Sequence, residues 1–465
     1  MWISKFDENI AEYALMLASR MGEYAEAYLE RSYSTAYSME QGELTGGAFN
    51  DSTGLRIRII SEKKLYTLST NKIEESEIRA LLDKLIKFNG KEVEMSEERV
   101  EQDDYVVREK EIIEDEALLS SLLEIDKRVK GIGYVKYRSV YADAGKATSY
   151  FVNSDGTRIG AELPYVSAFA AMTVSAGGDS RQRMLQFGGT GGLELFDPGA
   201  ICERLESEAG ALRNVIKTGK TLAKAELAGI TNVVVSPEII GIAVHESIGH
   251  PSEADRVFGR EAAQAGTSYL GPGDLGIEIG SEKVTIADDP TIKGSYGFYL
   301  YDDEGVKARK KVIVRGGKQD ALLVNREYAN DLKIRSNSSA RSDMYSNEPL
   351  VRMSNTYLER GELGLEELVE VAKEGIYIKS FTEWNIDDTR SFARYQGNEA
   401  YLIRNGRIST PVKNYALEAK TLDFWHAVRE LGSDFELTLG ECGKGEPVQG
   451  VPVTMGGPHA LLCFG

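Results

Sequence analysis

Alternating apolar and polar positions, rich in Tyr, Thr and Val, predict long strands in the first half of the chain. Apolar residues at helical spacing flank these strands, and clusters of Asn, Asp, Ser and Gly predict turns between them. The order helix, strands, turn, strands, helix occurs twice, with helices at 7–21, 74–88, 115–130 and 198–216 and turns at 50–54 and 153–157. We therefore expect an α+β region built from a duplicated helix–strands–helix unit, with copies at 1–90 and 115–225.

The second half of the chain has a different pattern. Short apolar runs separated by clustered glycines predict a β-rich domain, either a barrel or a sheet, with helices at 362–374 and 421–431. We place the main boundary near residue 225. The predicted organisation is an N-terminal α+β domain at 1–225 and a C-terminal β-rich domain at 226–465.

Composition narrows the class of protein. The chain has 465 residues, of which 42% are hydrophobic, so it is long enough for two or three folded domains. A net charge of -18 opposes contact with a phosphate backbone, and we expect no nucleic-acid partner. No apolar run reaches the ~18 residues of a membrane span, so we expect no membrane partner either. Three cysteines do not form a disulfide framework, and the expected compartment is the cytoplasm.

The segment VHESIGHPSEAD carries two of the four histidines, His245 and His250, with Glu246 beside the first. Upstream, NVVV predicts a short buried strand. Ser236 is a favourable N-cap, and the Pro237 that follows suits the first helical position. The sequence therefore predicts that His245 and Glu246 lie on a helix.

The five-residue spacing of the histidines is unusual for a metal-binding helix. On an ideal α-helix, side chains five residues apart point about 140° away from each other. Gly249 and Pro251 flank His250, and both residue types disturb a regular helix. A kink, a π-type bulge or a helix end would each bring the two imidazoles together.

Two interpretations of this segment are open at this point. In the first, both histidines bind Zn²⁺, and Glu246 acts as general base on a metal-activated water. In the second, they are surface histidines at a helix end. A zinc enzyme needs a third protein ligand, and the candidates are the remaining histidines, the cysteines and the acids. Cys442 stands out because it lies between glycines and near Lys444, a setting that favours a thiolate, and His459 is an alternative.

HESIGHPSEAD, together with CGKGEPVQGVPV, resembles the TldD/PmbA family, also called modulators of DNA gyrase. DDEGV, RMSNTYL and AYLIRNGRISTPVK extend the resemblance over essentially the whole chain. It implies the TldD branch, whose members are zinc-dependent peptidases. Carried over by residue, it implies His245, His250 and Cys442 as zinc ligands in the C-terminal domain and Glu246 as the catalytic residue. Glu253 and Asp255 are candidates to orient a ligand histidine.

The resemblance also implies a substrate class and a partner. It implies small or unfolded peptides as substrates, and a dimer with a second copy or with a PmbA/TldE-like paralogue. A β-rich domain with open edges is suited to hold an extended peptide by strand addition. The alternative function is a non-catalytic, chaperone-like peptide-binding protein with a structural or vestigial metal site. Departures from the family pattern at Ala254, Asn414, Tyr415 and His459 affect the cleft and leave the four motif residues intact.

Overall fold

The protein combines helices with an extensive framework of strands. The computed structural model of the protein describes residues 7–85, 91–111, 113–223, 226–227, 229–262 and 266–465. Its α-helices are α1 Asn9–Ala18, α2 Glu75–Leu82, α3 Asp115–Lys130, α4 Pro198–Thr218, α5 Pro237–Val244, α6 Ala254–Val257, α7 Arg326–Asp331, α8 Leu365–Ala372 and α9 Thr421–His426. Two 3₁₀ turns, Leu193–Leu195 and His250–Ser252, and a π-helical turn, His245–Gly249, complete the helical segments.

Strands form the larger part of the regular structure. In the first half they are β1 Tyr24–Glu40, β2 Glu43–Ser61, β3 Lys64–Thr70, β4 Lys91–Glu92, β5 Gln102–Val106, β6 Val135–Asn153, β7 Arg158–Ala176 and β8 Asp179–Thr190. In the second half they are β9 Lys220–Thr221, β10 Asn232–Val235, β11 Ile286–Asp288, β12 Lys311–Arg315, β13 Lys318–Gln319, β14 Ala340–Arg341, β15 Leu350–Val351, β16 Asn355–Leu358, β17 Gly375–Ile386, β18 Phe392–Arg404, β19 Arg407–Lys413, β20 Ala416–Lys420, β21 Val428–Leu431, β22 Glu436–Lys444, β23 Gln449–Gly457 and β24 Ala460–Cys463. The protein is thus a mixed α+β structure.

The first eight strands form one sheet. Its order is β4-β3-β2-β1-β6-β7-β5, and β8 pairs with β7. Helices α1 and α2 pack on the half formed by β1–β3, and α3 and α4 pack on the half formed by β6–β8, each over its own apolar core. The order helix, three strands, helix therefore recurs along the chain, and both halves share one sheet. The duplication of the unit stays a prediction.

The second half of the chain contains sheets and no separate closed barrel among its described strands. One eight-stranded sheet has the order β21-β24-β10-β17-β18-β19-β9, with β20 on β18, and a six-stranded sheet has the order β13-β12-β11-β16-β23-β22. Helix α5 packs against both, and the largest apolar core of the protein surrounds it. Gly241 permits this close packing, because a Cβ there would lie 3.0 Å from backbone atoms of Met455 and Gly456.

The first predicted turn is wrong. Residues 50–54 lie inside β2, where Asp51 pairs with Tyr33, and the chain reverses instead at Gln41 and Gly42. Both turn residues have positive φ angles, 54° and 93°, as the commonest two-residue hairpins require. Asn50 and Asp51 are exposed and Ser52 and Thr53 are partly exposed, so this part of the long strand tolerates a polar cluster. The turn predicted at 153–157 is confirmed between β6 and β7.

Other element boundaries differ modestly from those expected. The helix predicted at 421–431 ends at His426 and is followed by β21. The helix predicted at 74–88 is observed as α2, and residues 86–88 lie outside the described residues. Residue 225, at the predicted domain boundary, also lies outside them, so the domain limits stay a prediction. No helix in the described part of the chain is long and apolar enough to cross a membrane.

Candidate metal centre

A π-helical turn accommodates the five-residue spacing of the two histidines. Helix α5 follows the buried strand β10 and is capped by Ser236, whose hydroxyl accepts from the backbone N–H of Ile239. The helix then widens over His245–Gly249, and the backbone N–H of His250 donates to the carbonyl of His245. This five-residue hydrogen bond defines a π turn and places the two residues on the same side. Their rings lie 4.8 Å apart between centroids.

Hydrogen bonds from the side chains of Ser247, Trp425 and Tyr269 stabilise the π turn. The Ser247 hydroxyl donates to the carbonyl of Ala243, 2.6 Å away, and accepts from the indole Nε1 of Trp425 at 3.0 Å. The residue four positions after Ser247 is Pro251, which has no N–H to donate, and the Tyr269 hydroxyl donates to the Ser247 carbonyl at 2.9 Å. This carbonyl is therefore satisfied locally, as buried polar groups must be.

Gly249 serves packing in this turn. Its φ angle is -61°, so any residue can adopt this conformation. A Cβ at this position would lie 1.9 Å from the Sδ of Met353, a fully buried side chain. His250 itself keeps helical angles despite the proline that follows. Of the kink, the π-type bulge and the helix end considered from the sequence, the structure shows the π-type bulge. Gly249 leaves the space that the Met353 side chain occupies.

The turn brings His245 and His250 next to Cys442 on β22. One potential ligand atom from each lies within 4.8 Å of the other two, and all three side chains are buried. The Sγ of Cys442 is 3.5 Å from the Nε2 of His250. The Nδ1 of His245 is buried and has no hydrogen-bond partner among the described residues. Two imidazoles and a thiolate are a donor set that suits Zn²⁺ and leaves a fourth position open, so this group can bind a metal ion.

The charges of the group favour a thiolate. Burial opposes ionisation of Cys442, but the neighbouring His250, His245 and Arg352 lower its pKa well below the usual value for a thiol. Burial likewise opposes protonation of His250, whereas Cys442 and Glu253 raise its pKa to about 9. Cys442 and His250 thus form a mutually stabilised ionic pair, and a bound cation would replace the imidazole proton.

Glu253 fixes the orientation of the His250 ring. Its Oε2 lies 2.9 Å from His250 Nδ1, which leaves Nε2 facing Cys442. The same oxygen accepts from the Nζ of Lys444 at 3.0 Å, and Lys444 also donates to Asp255 at 2.6 Å. The side chains of Glu253 and Lys444 are completely buried. A carboxylate on the second nitrogen of a metal-binding histidine fixes its tautomer, and Glu253 has this geometry, whereas Asp255 contacts Lys444.

The surroundings of Cys442 differ from those expected. The residue lies in a regular strand, paired with Val451, and the neighbouring glycines do not make the segment irregular. Lys444 points toward Glu253 and Asp255. The guanidinium beside the thiol belongs to Arg352, which donates to the Cys442 carbonyl. Arg352 was missed by sequence reasoning because ninety positions separate it from the cysteine and no motif joins them.

Glu246 lies beside the metal-binding group and carries an ion pair of its own. The Nη1 of Arg390 donates to its Oε2 at 2.5 Å, and both side chains are largely buried. Arg390 is the second residue that sequence reasoning missed. His459 lies outside the group: its Nδ1 contacts Asp434 at 2.7 Å and its Nε2 contacts the Tyr377 hydroxyl at 3.0 Å.

A cleft of about 1280 Å³ reaches two of these residues. His245 and Glu246 form part of its wall. Strand β8 of the first sheet and strand β22 of the six-stranded sheet line two further sides, and their Cα atoms approach within 8 Å. Among the described strands, β8 pairs only with β7 and β22 only with β23. Each therefore has an edge that no other described strand pairs with, although Asn398 already donates to the Gln182 carbonyl of β8 and Arg352 to the Cys442 carbonyl of β22.

Models of known families match three stretches that together cover most of the chain. Residues 25–87, 105–213 and 228–463 match the PmbA/TldA metallopeptidase domain 1, the central domain and the C-terminal domain, respectively. A metalloprotease from Methanothermobacter thermautotrophicus is 33% identical over 447 residues, covering 95% of this chain and 94% of the relative. A zinc metalloprotease TldD homolog from Saccharolobus solfataricus is 30% identical over 273 residues, covering 56% and 59%.

Solved structures share the same fold. A protein from Thermotoga maritima described as a modulator of a DNA gyrase aligns with a TM-score of 0.77 at 16% identity, covering 98% of this chain and 99% of the other. TldE from Thermococcus kodakarensis aligns with a TM-score of 0.76 at 16% identity, covering 98% of both. The resemblance noted from the sequence motifs is confirmed: the chain belongs to the PmbA/TldD metallopeptidase family and is an enzyme of the metallopeptidase class.

Proposed function

We propose that the protein is a zinc-dependent peptidase that hydrolyses peptide bonds in small or unfolded peptides, with His245, His250 and Cys442 as ligands. The single observation that carries this proposal is the buried His–His–Cys group beside Glu246 in the wall of an open cleft. Zinc, when bound, activates water by lowering its pKa to roughly 7 and polarises the substrate carbonyl. A purely structural zinc site has no need of a carboxylate in such a cleft.

Glu246 moves the proton in this proposal. Its Oε2 is held by Arg390, and no described residue donates to its Oε1. The free oxygen takes a proton from the attacking water and returns it to the nitrogen of the leaving amine. Glu253 keeps the His250 ring in place, and the guanidinium of Arg352 beside Cys442 offsets the negative charge of the thiolate. The Glu246–Arg390 pair therefore serves proton transfer, and the Glu253–Lys444 pair serves the orientation of a metal ligand.

The strand edges support an extended peptide as the substrate. A peptide added to β22 would pair with backbone groups along that strand and run toward Cys442 at its far end. Backbone pairing requires an unfolded segment and makes little demand on side chains. Each edge of a strand offers backbone hydrogen bonds only at alternate residues. N-methylation of alternate peptide residues therefore tests whether the peptide binds by strand addition.

The decisive experiment replaces Glu246 by Gln. Glu246→Gln should retain the zinc content of the wild type and lose cleavage of an unfolded peptide, because the amide cannot accept the proton. Glu366→Gln, on the exposed surface of α8, is the matched control and should behave as wild type. Cleavage at the wild-type rate by Glu246→Gln would refute the mechanism. Binding without cleavage by the wild-type, zinc-loaded protein would instead favour the chaperone-like alternative.

The Glu246→Gln variant also tests the mode of binding. The uncut peptide should bind to it, and N-methylation at one set of alternate residues should weaken binding while methylation at the other set should not. Equal effects in both registers would exclude strand addition. We also propose that the working unit is a dimer, formed with a second copy or with a PmbA/TldE-like paralogue, since TldE has the same fold. A monomeric mass by light scattering for the active enzyme would contradict this.

A further inference from the structure

Arg390 occupies a distinctive place behind Glu246. It lies 144 positions downstream, in the turn that joins β17 to β18, and reaches the Glu246 carboxylate with its Nη1. Glu246 lines the cleft, whereas Arg390 is not among the residues that line it. The guanidinium therefore approaches the carboxylate from the side of the β17–β18 turn, outside the lining of the cleft, and its side chain is 15% exposed. The contact leaves the cleft side of Glu246 accessible and does not block it.

The turn that carries Arg390 is built to hold it in one conformation. Arg390 has a φ angle of 64°, a left-handed conformation that a non-glycine residue keeps only when its surroundings enforce it. The Asp387 carboxylate accepts from the backbone N–H groups of Ser391 and Phe392, both at 2.7 Å. The Arg390 N–H donates to the Asp387 carbonyl, and the Thr421 hydroxyl donates to the Arg390 carbonyl. The backbone is therefore tied on both sides of the arginine.

We propose that Arg390 is a positioning residue for Glu246 in the peptidase reaction, an inference that rests on the function proposed above. The carboxylate of a glutamate can turn about its terminal C–C bond unless one oxygen is anchored. Arg390 anchors Oε2 with a charge-assisted hydrogen bond, so that Oε1 keeps a fixed direction toward the cleft. A general base must lie within hydrogen-bond reach of the proton that it takes, and the anchor maintains this distance. Arg390 acts through Glu246 and touches neither the substrate nor the metal ligands.

The test separates turnover from binding. Arg390→Ala should lower kcat by about 10- to 100-fold, the range typical of small misplacements of a reacting group, and should leave KM unchanged. Arg390→Lys restores the charge without the fixed fork of donors and should recover part of the loss. Arg404→Ala, which removes the arginine at the end of β18 from an exposed ion pair with Glu374, is the control and should match the wild type.

A second measurement is independent of activity. The thermal unfolding midpoint is compared for Arg390→Ala, Glu246→Gln and the double variant, alongside zinc content. Because the two side chains form one buried ion pair, the double variant should be no less stable than the less stable single variant. All variants should bind zinc as the wild type does.

The outcomes distinguish the two proposals. An unchanged kcat in Arg390→Ala, a rise in KM alone, a loss of zinc that parallels the loss of kcat, additive effects on the unfolding midpoint, or no recovery in Arg390→Lys would each overturn the role of Arg390. An unchanged kcat in Arg390→Ala together with an inactive Glu246→Gln would leave the proposed function standing. Full cleavage by Glu246→Gln would instead refute the proposed function itself.

Discussion

Neutralising Glu253 should weaken metal binding, whereas neutralising Asp255 should not. The two carboxylates are close to a matched pair. Both are fully buried, and both accept from Lys444, at 3.0 and 2.6 Å. Glu253 also contacts the Nδ1 of His250 and lies 3.9 Å from the Nε of Arg256, whereas Asp255 accepts from the backbone N–H of Arg256. Only Glu253 contacts the histidine, so comparing Glu253→Gln with Asp255→Asn tests that contact.

The expected magnitudes follow from these contacts. A hydrogen bond to a charged group contributes about 1.5–3 kcal/mol and a neutral one about 0.5–1.5 kcal/mol, so each variant weakens two bonds by about 1 kcal/mol apiece. Both should lose about 2 kcal/mol of unfolding free energy in the metal-free protein. Only Glu253→Gln releases the His250 ring, and its zinc affinity should fall by about 10- to 100-fold, as when such partners of metal-binding histidines are removed.

Two assays separate the effects. Denaturant unfolding of chelator-treated protein at fixed pH measures the stability of each variant. Competition with a chromogenic zinc chelator measures affinity, and the wild type provides the reference. Equal zinc affinities for Glu253→Gln and the wild type would refute the reasoning. An equal loss in both variants would show that the charge near Lys444, rather than the contact with His250, controls the metal.

Two further predictions concern packing and pH. Gly249→Ala places a methyl group against the Met353 sulfur and should lower the unfolding free energy by about 1–3 kcal/mol and reduce the zinc content. In a Met353→Ala background the same substitution should cost less. Equal costs in both backgrounds would exclude the clash. Burial, followed by repulsion from Asp303, raises the pKa of Glu30 to about 7, so the unfolding free energy should fall as pH rises from about 4.5 through 7 by at most about 3 kcal/mol. Glu30→Gln should remove this decline and be more stable than the wild type above pH 7 in chemical denaturation, and parallel pH profiles would contradict it.

Local patterns in the sequence predicted most of the elements because the core faces of strands and helices repeat regularly. The helix at 115–130 and the strand NVVV are observed as predicted. The turn at 50–54 was wrong because a polar cluster signals exposure as well as reversal of the chain. The true reversal at Gln41 and Gly42 depends on positive φ angles, which the sequence signals only weakly outside Asn-Gly and Asp-Gly pairs.

The site was only partly predictable for a different reason. His245, Glu246 and His250 are neighbours in sequence, and Cys442 was suggested by its context and by the family resemblance. Arg352 and Arg390 approach from strands and turns far along the chain. Such contacts are created by tertiary packing, and no spacing rule in a single sequence encodes them.

The sides of the cleft come from different parts of the chain. The metal-binding group, Glu246 and Arg390 all come from the part of the chain after residue 236, whereas β8, which forms another side of the cleft, comes from the first sheet. In the proposed function, the cleaving groups and part of the substrate-binding wall are therefore encoded by separate stretches of the chain. Under the proposed function, substitutions along β8 that spare Arg183, which forms an ion pair with Glu238 of α5, can alter which peptides enter while the groups that cut them stay in place.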